Sequence, residues 1–214
     1  MRPNPDYQLD DIERIKTLIR DHPWVTFVSS VPGRGLVASH YPVILDEEAE
    51  GLVLLSHVGR PDEREHELGQ HELLAIVQGP HGYISPGWYE TSPAVPTWNF
   101  VTAHLHGRPQ LLSDEENLGV LEKLVDHFER VLPEPFLMNR TLENADYAQR
   151  IVGGTVGFRL EVTRIEAKEK MSQDKPRDVV ENVIDRLSSE GPYRNPQLAR
   201  RMADVHARLA EAAR

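Results

Sequence analysis

The spacing of strand-like segments is the strongest constraint that this sequence places on its fold. Six segments, rich in β-branched and aromatic residues or alternating in hydrophobicity, follow one another at hairpin-like intervals. They are Trp24–Ser30, Leu36–Leu45, Leu52–His57, Glu72–Gly79, Trp98–Gly107 (continuing toward Leu112) and Thr155–Ile165. Strands and helices do not alternate along the chain, which argues against a doubly wound parallel sheet. The pattern predicts a mainly β chain with peripheral helices (α+β), built on a closed antiparallel barrel of six strands.

Helical segments lie at both ends of this β-rich region and interrupt it. The first is predicted to start after Asp10 and to end before Pro23, because proline disfavours helix in the residue before it. Ser113-Asp-Glu-Glu forms a capping box that opens another helix. Further helices are predicted at Glu63–Gln70, Thr141–Ile151, Lys175–Ser189 and from Asn195-Pro196 onward. We expect one domain over residues 1–214, with a β core and inserted helices over 24–170 and a helical extension over 175–214.

Charge and cysteine content exclude several functional classes. The chain has 214 residues, a net charge of −10 and no cysteine. A chain of this length buries about 70% of its extended surface, enough for a core. Without cysteine there are no disulfides, zinc–thiolate sites, iron–sulfur clusters or cysteine nucleophiles. The acidic balance repels phosphate backbones and argues against direct DNA binding.

The same chain has no sequence signal for a membrane. No apolar run approaches the roughly 20 residues needed to span a bilayer. The N-terminal residues carry proline and acid rather than a basic and then apolar signal. We therefore expect a soluble, cytoplasmic protein.

Two histidines at strand spacing raise the question of a metal site. His104 and His106 are two residues apart, so both side chains point to one face of their predicted strand. A metal site also needs a third ligand, and no glutamate follows at short spacing. The other interpretation is that the imidazoles satisfy buried polar groups or line a polar pocket. We predict no metal ligand from this pair.

A second pattern repeats serine and histidine on successive strands of one predicted hairpin. The pairs are Ser39-His40 and Ser56-His57. Hydroxyls and imidazoles donate hydrogen bonds without requiring full charge, which suits an anionic or heteroaromatic ligand. The alternative is that each pair is a solvated strand end. The sequence has no Gly-x-Ser-x-Gly elbow, which argues against a serine hydrolase, and Gly153–Gly157 lacks the spacing of a dinucleotide or phosphate loop.

Two segments hold aromatic side chains in a frame of proline and glycine. They are Gly79-Pro-His-Gly-Tyr-Ile-Ser-Pro-Gly-Trp-Tyr89 and Val95-Pro-Thr-Trp-Asn-Phe100. Constrained aromatic residues can stack on a planar ligand, pack across a subunit interface or fill a core. These residues alone leave the three roles open.

Together with His104-Leu-His-Gly107, these two segments resemble the signature of the PaiB family. These are the FMN-binding negative transcriptional regulators, within the FMN-binding split-barrel superfamily of pyridoxamine-phosphate-oxidase-like proteins. Ala38-Ser-His-Tyr-Pro42 resembles the family's Ala-Thr/Ser-His-Leu-Pro strand, and Gly157-Phe158 followed by Lys170-Met-Ser-Gln173 resembles its ending. The resemblance runs from about Trp24 to Leu187.

The sequence departs from the family pattern at two places. After the third strand the family usually reads Gly-His-x-Ala-x-x-Asn-Pro, whereas this chain reads Ser56-His-Val-Gly-Arg-Pro-Asp62. The asparagine is absent and an arginine, Arg60, stands close to the turn. The family's Met-Tyr-x-Pro start is absent too. Both departures lie near the expected ligand, so they bear on the identity of the cofactor more than on the fold.

The resemblance implies a six-stranded antiparallel split barrel that works as a homodimer, with FMN in a cleft between the subunits. The split-barrel core would be residues 24–170. A dianionic phosphate requires basic and hydroxyl groups. The cofactor-binding residues implied by the resemblance are Ser39, Ser56, Arg60, Lys170 and Ser172 for the phosphate, His40 and His57 beside the ring or ribityl chain, Tyr83, Trp88 and Trp98 as walls of the ring, and Gln173 within the closing motif.

Two functional classes follow from the resemblance. The first is a flavin-dependent oxidoreductase that passes electrons between a small-molecule donor and acceptor, with the cofactor carrying the chemistry. The second is a transcriptional regulator acting on DNA or through a partner. The only basic stretch is the C-terminal segment with Arg194, Arg200, Arg201, Arg208 and Arg214, whose apolar positions favour packing instead. Related split barrels use haem or deazaflavin, which remain alternatives to FMN.

Overall fold

The computed structural model describes Met1, residues 4–212 and Arg214. Eight strands form one sheet in the order β6-β7-β3-β2-β1-β4-β5-β8. Their bounds are β1 (Trp24–Val31), β2 (Gly35–Leu45), β3 (Val53–Gly59), β4 (Leu73–Ile84), β5 (Thr97–Gly107), β6 (Gln110–Leu111), β7 (Thr155–Glu161) and β8 (Arg164–Lys170). The pairs β1–β2, β1–β4, β2–β3, β3–β7 and β6–β7 are all antiparallel. The mainly β, antiparallel prediction is confirmed.

Six α-helices accompany the sheet in the described residues, and each predicted helix overlaps one of them, although the helix predicted over Glu63–Gln70 is observed at Arg60–His66. They are α1 (Ile12–Asp21), α2 (Arg60–His66), α3 (Asp114–Glu129), α4 (Leu142–Ile151), α5 (Arg177–Ser188) and α6 (Pro196–Ala212). Asp11 caps α1 by accepting from the amides of Glu13 and Arg14. The capping box of α3 is present as predicted, with Ser113 and Glu116 bonded to each other's backbone.

The prediction of six strands is wrong, because the two strands at the edges of the sheet were missed. β6 has only two residues, and β8 lies within the charged segment Arg164-Ile-Glu-Ala-Lys-Glu-Lys170. The predicted strand Thr155–Ile165 is in fact β7, then a break at Val162-Thr163, then the start of β8. Edge strands are often short or rich in lysine and glutamate, because these features discourage pairing with other chains. The same features remove the hydrophobic alternation that identifies a strand from sequence.

The contacts divide the described chain into two compact units. One comprises residues 11–77 and 104–165, and the other comprises residues 1–10, 78–103 and 166–214. We call them the hairpin unit and the C-terminal unit and describe each by itself.

The hairpin unit has an aromatic and aliphatic core between its strands. Phe27 and Phe158 are almost fully buried and meet edge to face, with ring centroids 5.4 Å apart. Helix α3 covers another part of this unit, where Val120 and Leu124 pack on Ile44 and Leu55. Burial of aliphatic and aromatic side chains is the main stabilising contribution here.

The C-terminal unit is held by α5 and α6. The two helices contact each other, and each has a buried apolar face. The buried residues are Val179, Val180, Val183 and Leu187 of α5, and Leu198, Ala199, Met202 and Val205 of α6. Glu169 of β8 is only 3% exposed, and its Oε1 accepts from Nε of Arg201 at 2.6 Å. An ion pair and an apolar face therefore fix α6 to its own unit.

Candidate cofactor site

The hydroxyl of Ser39 on β2 is engaged inside the hairpin unit. Ser39 Oγ lies 2.9 Å from Nε2 of His66, and Nδ1 of that ring lies 2.8 Å from Oγ of Ser29 on β1. All three side chains are buried. Burial lowers the pKa of His66, so the ring is neutral at physiological pH. Ser39 thus binds helix α2 to the β1–β2 hairpin.

Ser56 and His57 of β3 have different surroundings. Ser56 is fully buried and donates to the carbonyl of Pro42 at 2.7 Å. The ring of His57 lies edge-on to Tyr41, with centroids 5.8 Å apart. Nδ1 of His57 is buried and has no hydrogen-bond partner among the described residues. Burial lowers the pKa of His57 as well, which leaves a neutral imidazole with an unused polar atom.

Tyr41 completes the surroundings of His57, and the sequence had not indicated it as a site residue. Its hydroxyl donates to Asp62 Oδ2 at 2.5 Å and accepts from the amide of Gly59 at 3.0 Å. Burial, followed by the bond to Asp62, raises the pKa of Tyr41. These bonds join β2 to the turn between β3 and α2, the segment where the sequence departs from the PaiB pattern.

Arg60 begins α2 and reaches across to the turn before β7. Its Nε donates to the carbonyl of Gly153 at 3.0 Å, and Nη2 donates to Asp114 at 3.3 Å. Nη1 has no hydrogen-bond partner among the described residues. His40 is exposed on β2 and its Nδ1 lies 3.0 Å from the hydroxyl of Thr26.

An aromatic cluster forms in the C-terminal unit. It contains Tyr83, Trp88, Trp98 and Tyr193, with neighbouring ring centroids 5.2–6.2 Å apart. His81 stacks on Trp98 at 6.5 Å and 26°. Trp98 and Tyr193 are each more than half exposed. The exposed indole face can stack on a planar ring, and Tyr193 is a member of the cluster that the sequence did not indicate.

Lys170 lies at the end of β8 in the same unit. Its Nζ donates to the hydroxyl of Thr97 and lies 5.8 Å from the ring centre of Tyr7. Burial lowers the pKa of Lys170. Thr97 and Trp98 are successive residues of β5, so their side chains point to opposite faces of the strand. Within one chain, Lys170 and the aromatic cluster are therefore on different faces of β5.

Ser172 and Gln173 are held by the turn that follows β8. Ser172 is buried, and its hydroxyl and the side chain of Asn99 are hydrogen-bonded at 2.9 and 3.3 Å. Gln173 accepts from the amide of Met171 and donates to the carbonyl of Glu169, both at 2.6 Å. Both side chains have partners that shape this turn.

His106, one of the two histidines at strand spacing, is engaged by charged neighbours in the hairpin unit. Nδ1 of His106 lies 2.7 Å from Nη2 of Arg164 and 3.1 Å from Oε1 of Glu72. Over the part of the chain that the structure describes, no three His, Asp or Glu side chains are grouped as metal ligands would be. In the same residues, no helix has the length and apolarity needed to cross a membrane.

Comparison with known proteins gives the family. Residues 1–164 match the model of the family described as "Putative FMN-binding domain". The chain belongs to this family.

Its relatives include the protease synthase and sporulation protein PAI 2 of Bacillus subtilis. That protein is 28% identical over 200 residues, covering 92% of this chain and 94% of the relative. The resemblance to PaiB stated from the sequence is thereby confirmed. The part matched by the family model ends before four of the residues described above, namely Lys170, Ser172, Gln173 and Tyr193. The alignment with PAI 2 covers nearly the whole chain.

Solved structures with the same fold include an FAD and heme binding protein and a flavocytochrome. The FAD and heme binding protein of Mycobacterium smegmatis has a TM-score of 0.57 at 17% identity, over 83% of this chain and 79% of that one. The flavocytochrome Anf3 of Azotobacter vinelandii has a TM-score of 0.51 at 16% identity, over 75% and 67%. At these identities the likeness concerns the fold. The FMN-binding domain family therefore shares its fold with proteins named for FAD, haem and flavin.

Proposed function

We propose that this chain binds FMN without a covalent bond, as a homodimer, and takes part in electron transfer between small molecules. The observation that carries the proposal is the buried Nδ1 of His57, which has no hydrogen-bond partner among the residues that the structure describes. A buried polar atom without a hydrogen bond is costly, and a ligand group that pairs with it recovers that cost. A neutral imidazole can donate at one nitrogen and accept at the other, so it can pair with the polar edge of a flavin without adding charge.

The remaining residues fit the parts of FMN. Each unit offers one candidate donor for the phosphate: Nη1 of Arg60 in the hairpin unit and the ammonium of Lys170 in the C-terminal unit. The half-exposed Trp98, with Tyr83 edge-on to it and Trp88 in the same aromatic cluster, suits the ring. Five further residues complete the proposed set. His40 is one of them, and the other four fix the backbone around the ligand through their hydrogen bonds: Ser39, Ser56, Ser172 and Gln173. When bound, FMN supplies the hydride and electron transfer that no side chain here provides.

The arrangement of Lys170 and Trp98 on opposite faces of β5 supports a dimeric site. We infer that an FMN molecule that contacts both groups takes them from two copies of the chain. The proposed cleft is therefore completed by a second subunit, as the family resemblance implies. The cytoplasmic location and the single-domain organisation expected from the sequence stay predictions.

The first experiment is a visible absorption spectrum after incubation with FMN and removal of the free dye. Flavin bands that survive desalting support the proposal, and a Soret band in the purified protein would favour haem instead. Arg60→Ala and Lys170→Ala should each weaken FMN binding about ten- to a hundredfold, because each removes a charged hydrogen bond to phosphate. Arg20→Ala is the matched control, since that arginine is exposed and paired with Glu47. A colourless protein that takes up no FMN would contradict the proposal.

Mixing two defective variants tests the shared cleft. If Arg60 and Lys170 of one site come from different subunits, a heterodimer of Arg60→Ala and Lys170→Ala has one intact site. Recovery of about half the FMN sites in the fully mixed heterodimer then shows that the site is shared. Sedimentation velocity measures whether the chain is a dimer at all, and a monomer that binds FMN tightly would contradict the dimeric cleft.

A flavin-linked regulatory role is the second candidate. It is favoured by the alignment with PAI 2, whose name refers to protease synthesis and sporulation, over 92% of this chain. In this case FMN binding would change what the protein contacts rather than support turnover. FMN that stays bound but cannot be reduced by a reduced nicotinamide cofactor (NADH or NADPH) or by dithionite would favour this role over electron transfer.

A further inference from the structure

Helices α3 and α4 and the segment between them enclose an apolar pocket in the hairpin unit. Its volume is about 390 Å³. Pockets for small molecules have volumes of about 300–1,000 Å³. The lining residues include Leu121 and Val125 from α3, Phe136 from the connecting segment, and Tyr147 and Ile151 from α4. None of these residues belongs to the proposed FMN site.

The walls of this pocket carry no charged side chain. Most polar groups of Thr155 and Asn144 are hydrogen-bonded to neighbouring residues of the pocket wall. Thr155 donates to the carbonyl of Val152 and accepts from Asn117, and the Asn144 amide donates to the carbonyl of Met138 at 2.6 Å. The Asn144 side-chain oxygen and the Tyr147 hydroxyl make no hydrogen bond to the described residues. The interior therefore favours an uncharged, apolar body.

Two arginines stand beside aromatic residues of the pocket. The guanidinium of Arg140 lies 5.5 Å from the ring centre of Phe136, and that of Arg150 lies 5.5 Å from the ring centre of Tyr147. Within the described residues, neither arginine forms an ion pair. In a chain with 34 acidic and 24 basic side chains, two guanidiniums without a carboxylate at one pocket are notable. Their positive charge complements an anion next to an apolar interior.

We propose that this pocket binds a small hydrophobic carboxylate. The apolar tail lies among the aliphatic and aromatic residues of α3 and α4, and the carboxylate pairs with Arg140 and Arg150. Phe136, Tyr147 and Ile151 are each about half exposed, so the pocket has an apolar entrance as well as an apolar interior. A tail that covers these three side chains removes exposed apolar surface from water, at a gain of about 25 cal/mol per Å².

Decanoate is the probe, titrated into the purified chain by isothermal titration calorimetry, with 1-decanol as the uncharged control. We expect saturable binding with one site per chain, and affinity that falls as salt is raised. The double variant Arg140→Gln/Arg150→Gln should bind decanoate about five- to tenfold more weakly, because exposed ion pairs contribute modestly. Binding of 1-decanol should not change. Arg177→Gln/Arg194→Gln is the matched control, since both arginines are exposed and paired with glutamates.

A second pair of variants tests the pocket itself. Ile151→Asp places a carboxylate in the lining and should abolish decanoate binding, whereas Ile151→Asn should weaken it less. Ile151 is half exposed, so neither change should unfold the chain. Three outcomes would overturn the proposal. The first is no saturable binding of decanoate, and the second is an unchanged affinity for decanoate in the arginine double variant. The third is a dimer that dissociates on Ile151→Asp while the wild-type chain does not bind decanoate. The last outcome would make this face an interface between two copies.

Discussion

His66 and Ser39 are joined by a contact of 2.9 Å between Nε2 and Oγ, although they are 27 residues apart in sequence. Ser29 occupies the other ring nitrogen, so one imidazole has partners on two neighbouring strands. The ring is 2% exposed, and water cannot replace either contact. Helix α2, which begins at Arg60 and ends at His66, is thus fixed at its end by a buried polar network.

Removing this imidazole should destabilise the fold strongly. His66→Ala leaves two buried serine hydroxyls without partners and creates a cavity, which together should cost about 2–5 kcal/mol. The measurement is the midpoint of urea unfolding, compared between variants that have the same m-value. The triple variant His66→Leu/Ser29→Ala/Ser39→Ala should be more stable than His66→Ala, because no unpaired hydroxyl remains. Equal stability of the two variants would show that the hydroxyls carry little of the cost.

Stability should fall as the pH drops below about 6.5. Burial lowers the pKa of both His66 and His57 in the folded chain, so the unfolded chain binds protons first as the pH falls. The stability contributed by the neutral rings is complete above the unfolded pKa of about 6.5 and is lost as the pH falls through the folded pKa values. Urea midpoints measured between about pH 7.5 and 5 should decline in the wild type. The decline should be shallower in His57→Phe, and a decline of unchanged slope would contradict this assignment.

The fold was predictable from the sequence where hydrophobic patterning was strong. Alternation and β-branched content located β1 to β5 and β7, and the capping box of α3 located its first turn to the residue. The edge strands β6 and β8 could not be found this way, since shortness and charge remove the pattern that marks a strand. Strand β4 also continues through Pro80 to Ile84, beyond the predicted end of this strand at Gly79.

The candidate site was predictable in composition but not in its pairings. The serine–histidine pattern pointed to Ser39, but its partner is His66, on an element that no local spacing connects to β2. Tyr41 and Tyr193 were missed for the same reason, because their roles come from contacts made only in the folded chain. Long-range pairing of polar groups depends on the geometry of packed elements, which a single sequence does not display.

A glycine on β7 should be intolerant of a side chain, while a glycine of α3 should benefit from one. A Cβ at Gly157 would lie 2.6 Å from Oδ1 and 3.0 Å from Cα of Asn117, so Gly157→Ala pushes α3 away and should cost about 1–3 kcal/mol. Gly119 lies inside α3 with no described atom within 4 Å of a Cβ, so Gly119→Ala should stabilise by about 0.5–1 kcal/mol. Thermal unfolding of the two variants checks both signs at once. A neutral Gly157→Ala would show that α3 can shift without loss.

Direct DNA binding is not expected from the C-terminal helix. In the C-terminal segment, Arg201 and Arg208 both face the single carboxylate of Glu169, and Arg194 pairs with Glu190, so two carboxylates balance two of the segment's five arginine charges. Together with the net charge of −10, this leaves little positive surface for a phosphate backbone. A gel-shift titration at low salt should show no retardation at micromolar protein. A specific shift that survives competitor DNA would contradict this prediction and favour a direct regulatory role.

The effects of replacing Glu169 and Arg201 on the free energy of unfolding should not be additive. Glu169 is buried, so Arg201→Met removes the nearest cation from a carboxylate that solvent does not screen, at a cost of about 2–4 kcal/mol. The double variant Glu169→Gln/Arg201→Met removes the charge as well and should recover much of that loss, because a neutral buried group needs less compensation. Urea unfolding of the two single variants and the double variant gives the coupling free energy between the two positions. Simple additivity of the two single effects would show that α6 is held by its apolar face through Leu198 and Met202 rather than by this ion pair.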